Sequence, residues 1–332
     1  MYTDEDLNHA VEAGIFSPEA AARFRDHVQT HRNTVRQDEE NFRLVTGFND
    51  IFVVLACTLL LASSAWLSGG EGFIAPLTTA ALSWPLAEFF VRKRKMALPA
   101  IFLLVTFVGG VFATAYLMTE GHALEDQLMI ASGLTLIAAY LHWLRFAVPI
   151  TVAAGAGAAA ALIAAVVGPR LEWGDGLLYL ILALGVALFA FAMYWDAKDR
   201  NRITRNTDIA FWLHLLSAPL IVHPVFALLG ILDGRQDPAG LALVIALYLG
   251  LTFISLVVDR RAFMVSALIY VLYALNELLE SAGMQDQGFA FAGLLISGSL
   301  LMLSGFWRKS RSVVLRMVPE LVRRRVPGAD LS

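Results

Sequence analysis

The chain has 332 residues, of which 58% are hydrophobic and only 16% are charged, and its mean hydropathy is +0.65. Soluble domains are closer to half apolar and a quarter charged, so this composition excludes an ordinary water-soluble protein and indicates a chain that lies in lipid. The net charge of −3 is small, and the single cysteine, Cys57, excludes both an intrachain disulfide and a thiolate metal site.

The N-terminal segment, residues 1–48, is polar and is predicted to be a cytoplasmic helical segment without a cleavable signal peptide. Gly14 is expected to end a first short helix, and Ser17 and Pro18 are expected to begin a second as its N-cap and first helical residue. Seven apolar residues would close the two helices into a small hairpin: Leu7, Val11, Ile15, Phe16, Ala20, Phe24 and Val28.

A charged helix through the run RNTVRQDEENFR is expected to lead from this hairpin into the first apolar segment. The pattern AVEAGIFSPEAAARF, followed by a charged linker and a series of membrane helices, resembles an uncharacterised family of bacterial membrane proteins with a cytoplasmic helical hairpin. That resemblance implies a membrane location and no assigned activity. Arg also far outnumbers Lys, which is typical of GC-rich bacterial genomes.

Residues 49–307 are predicted to form an all-α transmembrane domain of ten helices. A bilayer core of roughly 30 Å needs about 20 apolar residues in a helix, and only helices or closed barrels satisfy the backbone there. Ten predominantly apolar runs approach this length: Ile51–Leu67, Phe73–Val91, Met96–Met118, Leu128–Leu144, Phe146–Val167, Leu177–Trp195, Ile209–Leu232, Ala239–Val258, Ala262–Leu279 and Phe289–Trp307.

The distribution of basic residues predicts the orientation of these segments. If the N-terminus is cytoplasmic, 23 of the 25 Lys and Arg residues fall on the cytoplasmic side, and only Arg170 and Arg235 do not. This alternation favours ten spans with both termini inside the bacterial inner membrane. The prediction depends most on Arg145, which alone separates the fourth and fifth segments.

The seventh segment carries polar residues and prolines that point to a functional role. Pro219 and Pro224 remove backbone hydrogen bonds, and broken helices of this kind line the substrate sites of many transporters. His214, Ser217 and His223 are therefore candidate path residues. The two histidines lie on opposite sides of a straight helix, so we expect them not to share a metal ion, and an interhelical hydrogen bond is the alternative role for each.

The ninth segment carries a row of polar residues spaced four and three apart, which places them on one helical face. Such a row could line a water-filled path, although the two acids would also be hydrated if they lie near the outer boundary. The row consists of Ser266, Tyr270, Tyr273, Glu277 and Glu280, with Asn276 beside it.

Three other polar residues are predicted to be structural. Glu88 is expected to form an ion pair with Arg92 four residues later. Asp50 is expected to be a helix-entry residue rather than a buried acid, and His142 to lie in the polar belt at the inner interface.

Two further segments are predicted to make contacts with helices or lipid. The fifth segment has small residues at every fourth position, which favours close packing at the centre of the bundle or at a dimer contact: Ala153, Gly157, Ala161 and Ala165. The C-terminal tail, residues 308–332, mixes apolar residues with Arg and suits an interfacial helix against anionic lipid rather than a nucleic-acid site.

The sequence lacks the short motifs of metalloproteases, serine hydrolases, nucleotide-binding loops and dinucleotide-binding folds, so we expect neither catalysis nor a cofactor. The preferred hypothesis is a transporter or permease of a small solute or ion, with a path between the seventh and ninth segments. The alternative is a sensory or scaffolding membrane protein that recruits a cytoplasmic partner through the N-terminal hairpin or basic tail. Besides lipid, the expected partners are a second copy of the chain or a cytoplasmic protein.

Overall fold

A computed structural model describes residues 4–24, 48–69, 72–171, 175–199, 204–230, 238–281 and 287–320, and every regular element in these ranges is a helix. The chain divides into two units, Met1–Phe42 and Arg43–Ser332.

The first unit begins with helix α1, Asp4–Glu12, and residues 18–24 are also helical. Both predicted boundary signals are confirmed. Gly14 follows α1 with a φ of +71°, a conformation that glycine adopts without steric cost, and the Ser17 hydroxyl accepts a hydrogen bond from the backbone N–H of Ala20 at 3.1 Å.

Of the apolar residues expected to close the N-terminal hairpin, Leu7 is buried, whereas Ile15 and Phe16 are exposed. Val28 and the predicted charged helix at residues 32–43 lie outside the described residues.

Ten helices in the described part of the second unit overlap the ten predicted apolar segments. They are α2 Phe48–Leu67, α3 Ile74–Ala87, α4 Ala97–Met118, α5 Leu124–Phe146, α6 Ile150–Val167, α7 Asp175–Lys198, α8 Arg205–Leu228, α9 Pro238–Val258, α10 Ala262–Ser281 and α11 Gly288–Gly305. A π-helical turn, Glu88–Lys93, extends α3, and a 3-10 turn, Gly168–Arg170, extends α6. A final helix, α12, covers Trp307–Met317.

Within the described residues, seven helices, α2 to α8, are long and apolar enough to cross a membrane. Helix α11 reaches the same standard only together with α12, to which it is bent by 79°. The apolar stretches of α9 and α10, at Ala242–Val258 and Ala262–Asn276, are shorter than those of the seven helices. Several helices also begin before the predicted apolar run, as α5 does with Glu125 and Asp126 in its first turn, because acidic residues are favourable at a helix N-terminus.

Apart from α8 and α9, helices of the second unit that follow one another in the chain pack together, and α8 additionally contacts α6 and α10. Half of the apolar window of α8 is buried, more than in any of the other six candidate spans. Gly185 of α7 allows the closest approach to α8: a Cβ atom added there would lie 2.8 Å from the backbone carbon of Leu220. Helix α8 is therefore a central element of the second unit, in contact with α6, α7 and α10.

Three turns between helices are closed by non-glycine residues with positive φ: Lys95 after α3, Ala147 after α5 and Asp259 after α9. These are basic turns at which the sequence predicts cytoplasmic elbows. The left-handed conformation ends each helix within one residue, so the next helix starts almost at once.

The ion pair predicted between Glu88 and Arg92 is confirmed, at 3.3 Å. Glu88 also accepts a hydrogen bond from Arg145 NH2 at 3.0 Å, which joins the end of α3 to the end of α5.

The prediction for His142 is wrong, and the prediction for Asp50 is confirmed only in part. His142 is only 1% exposed, because its ring packs among Trp84, Phe107 and Phe146, and its Nδ1 lies 3.2 Å from the Thr151 hydroxyl. Asp50 does lie in the first turn of α2, but it is buried, at 3% exposure.

The small residues of α6 behave as predicted only in part. Ala153 and Ala165 are buried, and Gly157 approaches Leu216 of α8, but Ala161 is exposed.

Candidate functional site

Three ionisable side chains meet in the interior of the second unit, and we call them the charge cluster: Asp196, His214 and Arg260. One carboxylate oxygen of Asp196 lies 2.8 Å from His214 Nε2, and the other accepts a hydrogen bond from Arg260 NH2 at 2.6 Å. The Asp196 and His214 side chains are fully buried, and that of Arg260 is 2% exposed. Burial at this level strengthens each attraction but makes each unpaired charge costly.

Each member of the charge cluster comes from a different element. Asp196 lies in the last turn of α7, and His214 lies on the buried face of α8. Arg260 directly follows α9, where the left-handed Asp259 turns the chain sharply. The backbone N–H of Arg260 donates to the Ser255 carbonyl at 2.9 Å, which fixes the backbone from which the Arg260 side chain extends.

Aromatic and hydroxyl side chains complete the surroundings of the charge cluster. The ring of Phe189 meets that of His214 edge to face, with centroids 5.3 Å apart, and also contacts Phe263 of α10. The backbone carbonyl of Thr207 accepts a second hydrogen bond from Arg260 NH2, at 3.3 Å. Apolar rings therefore cover the imidazole, while the guanidinium is held by both α7 and α8.

A second buried carboxylate, Asp199, organises the connection between α7 and α8. Its Oδ2 accepts hydrogen bonds from the Thr204 N–H and hydroxyl, both at 2.6 Å, and from the Thr207 hydroxyl at 2.9 Å. Thr204 in turn caps α8, since its hydroxyl accepts from the Asn206 N–H. This network holds Thr207 where its carbonyl can meet Arg260.

The predicted path residues whose side chains the structure describes separate into two groups along α8 and α10. His214 lies in the charge cluster, and the Ser217 hydroxyl donates to the His214 carbonyl at 3.1 Å. Further along α8, His223 Nδ1 lies 2.8 Å from the Tyr270 hydroxyl of α10. As expected, the two histidines of α8 have different partners.

The other predicted residues lie on α10. Tyr273 is 45% exposed, and Asn276 is partly buried with its side-chain oxygen close to Gly288 of α11. The side chains of Glu277 and Glu280 lie outside the described residues. The described part of the predicted polar row follows the edge of the buried face of α10, which is formed by Phe263, Met264 and Ala267.

Asp196 and Arg260 are the functional candidates that the sequence reading missed. Arg260 entered the sequence analysis only as one of the basic residues on the cytoplasmic side, and Asp196 was not singled out. The available signal was an acid directly after Trp195, at the end of the sixth segment, and a pair of arginines directly before the ninth segment. Nothing in the spacing connects two residues that are 64 positions apart.

The geometry allows the charge cluster to hold or exchange charge. A carboxylate between a guanidinium and an imidazole balances one fixed cation, and the imidazole is the side chain that most readily changes its charge near neutral pH. Within the described part of the chain, no group of three His, Cys, Asp or Glu residues could hold a metal ion.

Comparison with known proteins does not identify a family for this chain. No protein-family model matches it, and no curated protein is detectably similar to it in sequence. The arrangement of the buried polar residues is therefore the basis for the functional argument.

Proposed function

We propose that the chain is a ten-span protein of the bacterial inner membrane, with both termini in the cytoplasm, that transports a small solute or ion. The observation that carries this proposal is the charge cluster. Ionisable residues inside membrane helices are costly, and where they occur they usually belong to substrate, ion or proton pathways. Asp196 and His214 are buried in α7 and α8, two of the candidate membrane-spanning helices, and Arg260 reaches Asp196 from the turn after α9.

The two polar sites on α8 define the proposed path. His214 and His223 are nine positions apart, or roughly 13 Å along a helix axis. Pro219 and Pro224 interrupt the backbone hydrogen bonding between and beside them, so local backbone carbonyls are available to a passing polar group. The hydrogen bond between His223 and Tyr270 closes α8 against α10 at the second site. Opening of that contact would extend the path beyond the charge cluster.

Transport can be tested with purified protein in proteoliposomes on a solid-supported membrane. The capacitive current is recorded while amino acids, carboxylic acids, sugars and alkali cations are applied in turn. We expect at least one class to give a current that is absent from protein-free liposomes. The His214→Gln variant should lose that current, whereas His122→Gln, which changes an exposed histidine, should keep it. Equal currents from protein and protein-free liposomes for every class would contradict the proposal.

The proposed orientation has its own test in intact cells. Single cysteines replace the exposed residues Arg94, Lys198 and Glu120 in a Cys57→Ser background. A membrane-impermeant maleimide added outside should label the Glu120→Cys variant and leave the other two unlabelled until the cells are permeabilised. Labelling of Arg94→Cys in intact cells would reverse or break the assigned topology.

A second candidate function is recruitment of a cytoplasmic partner by the N-terminal segment. Ile15 and Phe16 favour it, since they are adjacent apolar side chains that are 71% and 46% exposed. Their replacement by Ser should release such a partner during co-purification without changing the membrane domain. Partners that stay bound to the Ile15→Ser/Phe16→Ser variant would count against recruitment at this site.

A further inference from the structure

Helix α12 has one face that is docked on the protein. Trp307, Arg311 and Leu315, spaced four residues apart, are all less than 10% exposed. Trp307 packs with Leu256 of α9 and Met264 of α10. The helix is therefore held in one orientation.

Asp259 is the polar anchor of this docked face. It accepts a hydrogen bond from Trp307 Nε1 at 3.0 Å, and its other oxygen lies 3.3 Å from Arg311 NH1. Arg311 also donates to the Leu256 carbonyl at 3.3 Å. One of the basic residues of α12 is thus already used within the protein and is not available to an outside partner.

The other side of α12 carries two exposed rows. Arg308, Lys309 and Arg316 form a basic row, and Val313 and Met317, at 54% and 74% exposure, form an apolar row beside it. With about 100° per residue, the basic row lies between the docked face and the apolar row around the helix. No acidic residue occurs within α12.

The direction of α12 relative to α11 indicates what the basic and apolar rows face. Helix α11 is apolar and α12 bends away from it by 79°, so α12 runs nearly at right angles to the helix that precedes it. Beside a membrane-crossing α11, this direction lies along the bilayer surface. A helix in that position places an apolar row among the acyl chains and a basic row among the headgroups. Phe306, 56% exposed at the bend, adds to the apolar surface at the same end.

We propose that the exposed face of α12 is a binding surface for anionic phospholipid headgroups, with Arg308, Lys309 and Arg316 as the recognising residues. Each basic residue near an anionic membrane surface favours binding by roughly fivefold. Three such residues should therefore give a clear preference for an anionic lipid over a zwitterionic one. The preference should fall at high ionic strength, because these side chains are exposed.

The test uses the full-length protein in vesicles made of equal amounts of phosphatidylcholine and phosphatidylglycerol. A fluorophore is attached to Val313→Cys in a Cys57→Ser background, and either lipid is supplied in brominated form to quench it. The ratio of the two quenching efficiencies reports the relative binding of the two lipids at α12. We expect a preference of several-fold for phosphatidylglycerol.

Two matched triple variants identify the residues responsible. Substitution of the basic row, R308Q/K309Q/R316Q, should bring the ratio close to one. Substitution of an equal charge elsewhere, K93Q/R94Q/K95Q, should leave the ratio unchanged, and R308K/R316K should preserve it. Failure of both lipids to quench would show that this face is covered by something other than the bilayer. A ratio of one in the parent, or an unchanged ratio in the basic-row variant, would equally overturn the proposal.

Discussion

The substitution Arg260→Met should be among the most destabilising single changes in the protein. It removes the guanidinium that lies 2.6 Å from Asp196 and leaves a carboxylate that is completely buried. At about 4 Å and an effective dielectric constant of about 20, two opposite unit charges attract by roughly 4 kcal/mol, and this contact is closer. Loss of one partner from a buried pair typically costs about 3–5 kcal/mol, since the remaining charge has lost its compensation.

The free energy of unfolding can be measured by adding sodium dodecyl sulfate to the protein in mixed micelles while following helicity. A double-mutant cycle separates the pair from its surroundings: Asp196→Asn in the Arg260→Met background removes the uncompensated charge. We expect the double variant to recover stability, with a coupling of about 2–3 kcal/mol between the two positions.

Arg92→Gln is the matched control for this prediction. It also removes an arginine from an ion pair, but the Arg92 side chain is 55% exposed, and exposed pairs contribute little. Its unfolding curve should nearly superimpose on that of the parent. If Arg260→Met were no more destabilising than Arg92→Gln, the inference that the charge cluster carries buried, mutually dependent charges would be refuted.

Three further predictions use the same unfolding measurement. Gly185→Ala should lower the free energy of unfolding by about 1–3 kcal/mol, because the added Cβ would meet the Leu220 backbone. Gly250→Ala is the control and should not destabilise the protein, since nothing lies within 4 Å of its added Cβ. Equal effects of the two substitutions would contradict the close contact between α7 and α8. Ala147→Gly should stabilise the protein by about 1 kcal/mol, since it relieves a left-handed conformation, and a loss of stability would argue against that turn. Tyr270→Phe should cost about 0.5–1.5 kcal/mol by removing the hydrogen bond between α8 and α10, and an unchanged midpoint would show that the bond contributes nothing.

The helices could be predicted from sequence because the bilayer imposes a strong length and composition requirement on every crossing segment. The ends of the helices were harder to place. Arg205 and Asp208 belong to α8 although they precede its apolar run, because charged residues at a helix end can remain helical. Local signals with a steric or hydrogen-bonding basis, such as Gly14 and Ser17, were reliable.

Residues of the candidate site could be predicted only where the sequence of a single helix marked them. Proline and histidine within a single apolar run marked α8, and His214 is indeed buried against charged partners. Asp196 and Arg260 meet through the packing of three elements, and their side-chain contact has no periodic signal in the sequence. His142 was misplaced for the same reason: besides Phe146 of its own helix, Trp84 of α3 and Phe107 of α4 pack against it, and the neighbouring sequence does not reveal these two contacts.

The separation of the charge cluster along the chain has a consequence for biogenesis. Synthesis proceeds at about 5–20 residues per second, so the ribosome makes Arg260 roughly 3–13 s after Asp196, which lies 64 positions earlier. During that interval Asp196 and His214 have been synthesised, but the guanidinium counter-ion of the acid does not yet exist. The buried ion pair can therefore form only after the turn that follows α9 has been made. Asp259 in that same turn accepts the hydrogen bond from Trp307 of α12, so one late turn supplies the contacts for both the buried acid and the last described helix.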